Sequence, residues 1–258
     1  MTGYATLLKE WRSHRRVSQL DLALQANVSA RHISFLETGR SRPSPGMIVQ
    51  LSEVLEVPVD ARNQMLRAAG FAPRYAATPL DDAKMAPITQ AISRMLERHA
   101  PYPGLVLDRL WRVIMLNGPA SVLFAPFGLR EGSNLLDLAT DPIMAQIVEN
   151  WADVAYHTMQ RLRAESAAAG GIAELEEAIA KLAPFAHLSE KPEDAPTIPT
   201  IYRFGDMRLS LFGTIAQFST VNDETLADLK VELFYPSEAE SAQWFEAAEL
   251  GGGAGTGA

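Results

Sequence analysis

The chain has 258 residues, and 47% of them are hydrophobic, which is enough for two apolar cores and excludes a disordered protein. It contains no cysteine, which excludes a disulfide framework, a thiolate nucleophile and a cysteine-ligated metal. The net charge of −8 is unevenly distributed. Residues 1–75 carry ten Lys and Arg against six Asp and Glu, whereas residues 76–258 carry thirteen against twenty-five. This asymmetry indicates a basic domain followed by an acidic one.

No apolar run approaches the length of a membrane span, and the first residues lack a signal-peptide pattern. We therefore expect a soluble, cytoplasmic protein with no membrane partner.

Residues 19–38 predict two short helices joined by a tight turn. Apolar residues recur at helical spacing, and Ala23 is small enough to let a second helix cross closely. Asn27 stands at the turn, where a left-handed backbone favours Gly or Asn. Ser29 can cap the helix that follows. This pattern is typical of a helix-turn-helix that reads DNA.

The second of these helices would turn Ala30, Arg31, Ser34 and Phe35 outwards. Arg31 lies in its first turn and suits a bidentate contact to guanine, the alternatives being a phosphate contact or a solvated side chain. Ala30 and Phe35 are apolar at exposed positions, where a thymine methyl group would give them a partner. Phe35 has the alternative of folding over the preceding helix or onto a dimer partner.

The exit from this helix carries Glu37, Gly39 and Pro43, a spacing that resembles the lambda-repressor-like (xenobiotic-response-element-type) bacterial regulators. Residues 5–75 resemble their five-helix DNA-binding domain. The helices that this implies are Leu7–Arg16, Gln19–Ala26, Ala30–Glu37, Pro45–Leu55 and Ala61–Ala69.

The same resemblance implies further DNA contacts. Gln19, at the start of its helix, would bind a phosphate together with the helix N-terminus. Arg40 and Arg42 flank the exit loop and would contact the phosphate backbone. We also expect Ser29, which can cap the recognition helix, to contact DNA.

Prolines and acidic residues interrupt the periodicity between Ala72 and Lys84, after which a helix is predicted over Pro87–His99. The glycine-rich end of the chain is expected to be flexible. The boundaries that follow are 1–75 for the first domain, 76–100 for a linker and connector helix, 101–248 for the second domain and 249–258 for the tail.

The second domain reads as two strands, then helices, then further strands, which fits an antiparallel sheet with helices over one face. The predicted strands are Leu105–Asp108, Trp111–Leu116, Thr200–Phe204, Met207–Phe212, Ile215–Thr220 and Leu229–Tyr235. The predicted helices are Ala120–Phe124, Asn134–Ala139, Pro142–Ser166 and Ile172–Ala183, with a loop over Ser189–Pro199.

The chain as a whole resembles the MmyB-like regulators. That resemblance implies a PAS-like α+β second domain with an antiparallel sheet, which binds small, often fatty-acid-like molecules.

Several of these strands carry apolar residues on both faces, more than a one-sided sheet needs. The surplus could line a pocket, or cover a dimer interface or the connector helix. We predict an elongated apolar cavity between the sheet and the helix Pro142–Ser166. Its candidate residues are Arg112, Val113, Met115, Trp151, Met159, Met207, Leu209, Leu211, Ile215 and Phe218. Candidate donors to a bound carboxylate are Arg109, Arg112, Arg203 and Arg208.

The five histidines show no metal-ligand spacing, and no Gly-x-Ser-x-Gly elbow occurs, so we expect no enzyme. The predicted function is that of a bacterial transcription regulator that binds a double-stranded operator as a homodimer. Its second domain would sense a small apolar effector, and no cofactor is expected beyond a bound fatty acid or similar lipid. The alternative is a regulator whose second domain is a ligand-free dimerisation or partner-binding module.

Overall fold

The computed structural model describes residues 3–188, 197–218 and 222–252. Its internal contacts divide the chain into two compact units. The first comprises Met1–Thr78, Glu165–Ile172 and Thr220–Ala227, and the second comprises Pro79–Ala164, Ala173–Ser219 and Asp228–Ala258. Two segments from the region expected to form the second domain thus belong to the first unit.

Five helices begin the first unit, and side-chain caps explain where three of them start. The hydroxyls of Ser18, Ser29 and Ser44 each accept a hydrogen bond from a backbone N–H in the first turn that follows. The helices are α1 (Tyr4–His14), α2 (Gln19–Gln25), α3 (Ala30–Glu37), α4 (Pro45–Val54) and α5 (Val59–Ala68).

The core of the first unit is formed by mostly aliphatic side chains from all five helices, among them the fully buried Leu8, Leu22, Ile33, Ile48 and Met65. Removing each of these side chains from water stabilises the fold by about 1.5–3 kcal/mol. The five-helix arrangement predicted from the sequence is confirmed.

The second unit contains a five-stranded antiparallel sheet with the strand order β2-β1-β5-β4-β3. The first and last strands in sequence, β1 and β5, are neighbours in the sheet. Because β5 lies between β1 and β4, the two hairpins β1–β2 and β3–β4 are joined into one sheet only by the last strand. The strands are β1 (Gly104–Leu107), β2 (Val113–Leu116), β3 (Thr200–Phe204), β4 (Met207–Gln217) and β5 (Lys230–Pro236).

The remaining helices precede the sheet, connect its strands or follow its last strand. They are α6 (Ala86–Arg98), α7 (Gly118–Phe124), α8 (Leu135–Ala139), α9 (Met144–Ile147), α10 (Trp151–Ala168), α11 (Ala173–Ala186), α12 (Glu224–Ala227) and α13 (Ala239–Gly252), and a short 3₁₀ turn, Ala125–Phe127, follows α7. In the described parts of the chain, no helix combines the length and the apolar character that crossing a membrane requires.

The helix predicted over Pro142–Ser166 is wrong as a single element. Val148 adopts an extended backbone and forms an isolated β-bridge with Tyr202, and the Glu149 N–H donates to the Ile201 carbonyl at 2.8 Å. Pairing with β3 therefore outweighs helix propensity at this point, and the chain forms α9 and α10 instead.

Two strand predictions also need correction. The segments Met207–Phe212 and Ile215–Thr220 were expected to be separate, but Gly213 and Thr214 pair with Phe234 and Leu233, so β4 is continuous. The end of the second segment, residues 219–220, lies outside the described residues. The strand expected from Trp111 begins only at Val113, because Trp111 stands in a turn with a φ of 64°.

The end of the chain differs from expectation as well. No helix was predicted after the last strand, yet α13 runs to Gly252, so the first residues of the tail expected to be flexible are helical. Residues 253–258, and residues 189–196 of the expected Ser189–Pro199 loop, lie outside the described part of the chain.

Candidate DNA-binding face and ligand cavity

The turn between α2 and α3 has the geometry that a helix-turn-helix requires. Asn27 has a φ of 51°, the left-handed conformation that its side chain tolerates better than most. The Val28 N–H donates to the Ala23 carbonyl at 2.9 Å, which closes the turn against the end of α2. Ala23 is buried, so the two helices meet closely there.

Phe35 organises two cations on the outer face of α3. The guanidinium carbon of Arg31 lies 5.1 Å from the Phe35 ring centroid, and that of Arg40 lies 6.0 Å from it. Phe35 is half-buried, while both arginines are exposed. Cations at these distances are attracted to the ring face, which restricts the directions in which the two arginines extend.

The other predicted DNA contacts lie on the same part of the first unit. Arg42 and Ser29 are exposed, and Ala30 and Ser34 are half-buried on α3. The structure thus gathers the predicted residues around α3 and its exit loop, and their contacts with DNA stay a prediction.

Gln19 has a second role inside the domain. Its amide nitrogen donates to Glu37 at 2.7 Å, and Glu37 also forms an ion pair with Arg12 of α1 at 2.5 Å. Burial raises the pKa of Glu37, but hydrogen bonds from Arg12 and Gln19 and the charge of Arg12 outweigh burial, so this pKa lies below its usual value. This cluster joins the ends of α1, α2 and α3.

A cavity of about 330 Å³ lies in the second unit between the sheet and α10. One wall comes from α7 to α10, and includes Phe124, Met144 and Trp151. The other comes from β3, β4 and β5, where Tyr202 and Phe234 contribute aromatic rings. The volume is at the small end of the range of ligand pockets, and the lining is mostly apolar.

The β4 side of the cavity is exposed at three consecutive residues, Gly213, Thr214 and Ile215. Gly213 contributes no side chain to the wall. A Cβ atom placed there would lie 3.7 Å from the Phe234 ring, which is an ordinary contact. A side chain placed at this position would therefore contact Phe234, another residue of the wall.

The polar part of the wall includes an ion pair, besides His157, Tyr202 and three threonines. Arg161 of α10 pairs with Glu232 of β5, and only 7% of the Glu232 side chain is exposed. The guanidinium carbon of Arg161 lies 4.3 Å from the centroid of the Trp111 ring. Burial and the nearby Glu232 raise the pKa of Tyr202, so its hydroxyl stays neutral at physiological pH.

Trp111 reaches this wall from a strained turn. A φ of 64° is uncommon for a bulky residue and is maintained only where the surroundings impose it. The Trp111 N–H donates to the Asp108 carbonyl at 3.0 Å, and its carbonyl accepts from the Leu135 N–H at 2.9 Å. The Asp108 carboxylate accepts from the backbone N–H groups of Leu110 and Arg112, which fixes the rest of the turn.

The lining of this cavity overlaps the predicted ligand residues at two positions. Trp151 and Ile215 line it. The other eight lie elsewhere: Met115 borders a separate cleft beside α6, Arg112 and Phe218 are exposed, Met207 is half-buried, and Val113, Met159, Leu209 and Leu211 are buried away from the lining. Which residues touch a ligand stays a prediction.

The four candidate donor arginines do not line the cavity either. Arg109 lies 3.7 Å from Asp228, and Arg203 and Arg208 pair with Glu149. The arginine in the wall is Arg161, which the sequence reasoning missed.

Two signals could have found the ion pair. Trp151, Val154, Thr158 and Arg161 follow one another at spacings of three and four residues, so Arg161 extends the apolar stripe of α10. On β5, Glu232 alternates with Val231 and Leu233 in a strand that reads as buried. A charge at an inward position on each element predicts a buried pair.

Comparison with known proteins assigns both parts of the chain. A family model described as MmyB-like transcription regulator ligand binding domain matches residues 88–248, more than half of the chain. A model described as helix-turn-helix matches residues 8–61. Neither description names an enzyme. A search of curated proteins finds no match.

Among solved structures, the PAS domain from Bordetella pertussis BvgS is similar at 10% sequence identity with a TM-score of 0.29, over 64% of this chain and 98% of that one. The antiparallel sheet with the order β2-β1-β5-β4-β3 agrees with the PAS-like fold predicted for the second domain. Both parts of the predicted architecture are thus confirmed. The chain belongs to the MmyB-like transcription regulators, with a DNA-binding helix-turn-helix followed by a ligand-binding domain.

Proposed function

We propose that this regulator binds a small, largely apolar effector in the 330 Å³ cavity between the sheet and α10, and that the effector controls operator binding. The cavity carries this proposal. Its aromatic and aliphatic walls would remove an alkyl chain from water, at about 0.8 kcal/mol for each buried methylene group. A single alkyl chain of modest length with a polar end, as in a fatty acid or a related lipid, fits this volume.

DNA binding follows from the outer face of α3. Inserted in the major groove, α3 would direct Arg31 at a base edge, while Arg40 and Arg42 meet phosphates. Phe35 is a positioning residue here, because its ring restricts Arg31 and Arg40. One helix-turn-helix domain makes few contacts with DNA, so we propose that a homodimer binds two half-sites about 34 Å apart.

The effector site is tested by filling the cavity. Gly213→Val adds a branched side chain at the wall without requiring an unfavourable backbone, since Gly213 lies in a strand with ordinary space around its Cβ position. Purified full-length protein would be extracted, and released small molecules identified by mass spectrometry. We expect a near-stoichiometric lipid from the wild type and at least about a tenfold loss from Gly213→Val.

Gln217→Val is the matched control, because it places the same side chain on the same strand at an exposed position that does not line the cavity. It should retain the lipid. If the wild type releases no lipid and takes up none when alkyl ligands are added, the ligand-free dimerisation or partner-binding module becomes the better explanation of the second domain.

A further inference from the structure

Resting on the proposed effector site, we infer that Glu232 selects the head group, so that the cavity prefers an amphiphile with an uncharged polar end over one with a carboxylate. The motive is the charge already present in the wall. The arginine in the wall is not an isolated cation available to an anion, because Arg161 already forms a direct ion pair with Glu232.

The first step is the balance of charge. Among the described residues that line the cavity there is one guanidinium group, that of Arg161, and one carboxyl group, that of Glu232, and their charges cancel in the ion pair. A carboxylate that enters must approach Arg161 beside another carboxylate, or displace Glu232 from it. Displacement would transfer Arg161 to the ligand and leave the carboxylate of Glu232 without this partner. Because Glu232 is only 5% exposed, that loss is costly.

The second step is that the pair is held in place. Trp111 stacks on Arg161 at 4.3 Å, and the Lys230 ammonium lies 5.1 Å from the same ring. Hydrogen bonds to the backbone of Trp111 maintain its turn despite the positive φ. Arg161 therefore cannot readily swing away to meet a ligand anion at a distance from Glu232.

The third step concerns what the pair still accepts. A guanidinium has five N–H donors and a carboxylate about four acceptor sites, so an ion pair can hydrogen-bond a neutral group at its edge without separating. A hydroxyl can donate to Glu232 and accept from Arg161 in one position. Alcohols and amides with an N–H group share this chemistry, whereas an ionised acid, which has no proton to donate, does not.

The experiment compares decanol with decanoate by isothermal titration calorimetry on the full chain at about pH 7, with bound lipid removed first. For the wild type, we expect decanol to bind at least about tenfold more tightly than decanoate. Glu232→Gln preserves the shape of the side chain but removes its charge. Decanoate should then bind about tenfold more tightly than to the wild type, because Arg161 has lost its anion.

Glu149→Gln is the control, since this exposed carboxylate also pairs with arginine but lies outside the cavity. It should leave the ratio of the two affinities unchanged. Should Glu232→Gln unfold, replacing Arg161 and Glu232 together by Met removes the pair, and decanol should lose its advantage.

Two results would overturn the inference. If the wild type binds decanoate as tightly as decanol, Glu232 does not select the head group, although the effector site stands. If neither probe binds the wild type or any variant, the proposed effector site fails and the head-group preference fails with it.

Discussion

At the recognition face, a single aromatic ring determines how two arginines are presented. The Phe35 ring centroid lies within 6.0 Å of both guanidinium carbons, so Arg31 and Arg40 are restricted in direction before any DNA binds. Less side-chain freedom is then lost when DNA binds. The half-buried Phe35 thus has a physical role on α3 whether or not it touches a base.

Arg31→Ala should weaken binding to the cognate operator by roughly 1–3 kcal/mol and relax the preference at one base position. Arg31→Lys is the matched control, because it retains the charge but not the planar fork that contacts guanine twice. Selection from a random DNA library followed by sequencing measures both effects. Unchanged base preferences in Arg31→Ala would show that this residue does not read a base.

Tyr4 presents the opposite situation, a polar atom without a role in the core. Its hydroxyl is buried and has no hydrogen-bond partner among the described residues, and burial followed by the charge of Glu37 raises its pKa. Tyr4→Phe should therefore increase the free energy of unfolding by about 1 kcal/mol. Chemical denaturation measures this free energy. Tyr75→Phe is the control, because the Tyr75 hydroxyl accepts a hydrogen bond from Arg62 and its removal should not increase the stability.

Glu37 makes the first unit sensitive to acid. Its pKa is lower in the folded state than its usual 4.5, so its contribution to stability is complete above about pH 4.5 and is lost as the pH falls through the folded-state pKa. Glu37→Gln should cost about 1.5–3 kcal/mol at neutral pH and flatten the stability curve below pH 4.5. Glu10→Gln, an exposed change on α1, should alter neither, and a curve for Glu37→Gln that parallels the wild type would contradict the assignment.

At the scale of elements, the end of α10 depends on two glycines with different surroundings. Gly170 has a φ of 84°, and a Cβ atom there would lie 2.7 Å from the Trp11 ring. Gly171 has a φ of 100° with nothing within 4 Å of its Cβ position. Trp11 therefore packs against a space that only glycine leaves open.

Gly170→Ala should destabilise the protein by more than Gly171→Ala does. Both substitutions strain a left-handed backbone, at a cost of about 1–3 kcal/mol, but only the first also forces Trp11 to move. Thermal unfolding followed by tryptophan fluorescence measures the difference. Equal losses in the two variants would mean that the Trp11 contact adds nothing.

The helices of the first unit could be predicted closely because their signals are local. Caps at Ser18, Ser29 and Ser44 and the left-handed Asn27 each fix a boundary within one turn. The break at Val148 could not be predicted in this way, since its cause is pairing with Tyr202, more than fifty residues later in the chain. Arg161 and Glu232 each stand at an inward position of their own element, but they lie about seventy residues apart in the chain, and only the fold shows that these two positions meet.

At the scale of the whole molecule, the first unit is assembled from three stretches of the chain. Arg15 donates to the Ala168 carbonyl at 3.0 Å, and Thr78 donates to Asp223 at 2.6 Å. Arg15, at the end of α1, and Thr78, ten residues after α5, thus contact residues that come much later in the sequence.

This arrangement predicts how the protein responds to a cut in the linker. A specific protease site introduced in the exposed stretch 81–84 should be cleaved, yet the two fragments should elute together in size-exclusion chromatography. Residues 165–172 and 222–227 of the later fragment remain bound within the first unit. The same cut in a Gly170→Trp variant should weaken the association. The prediction is contradicted if the fragments separate when the cut protein carries the native Gly170.

The close packing of Trp11 on Gly170 also bears on how such regulators can be recombined. A gene fusion that transfers residues 1–78 to a different sensor would leave behind the glycine on which Trp11 rests and the carbonyls that His14 and Arg15 contact. The transplanted head would then expose an indole to water. A fusion of residues 1–78 to the second domain of a relative should therefore fold well only where that domain supplies an equivalent glycine turn after its own long helix.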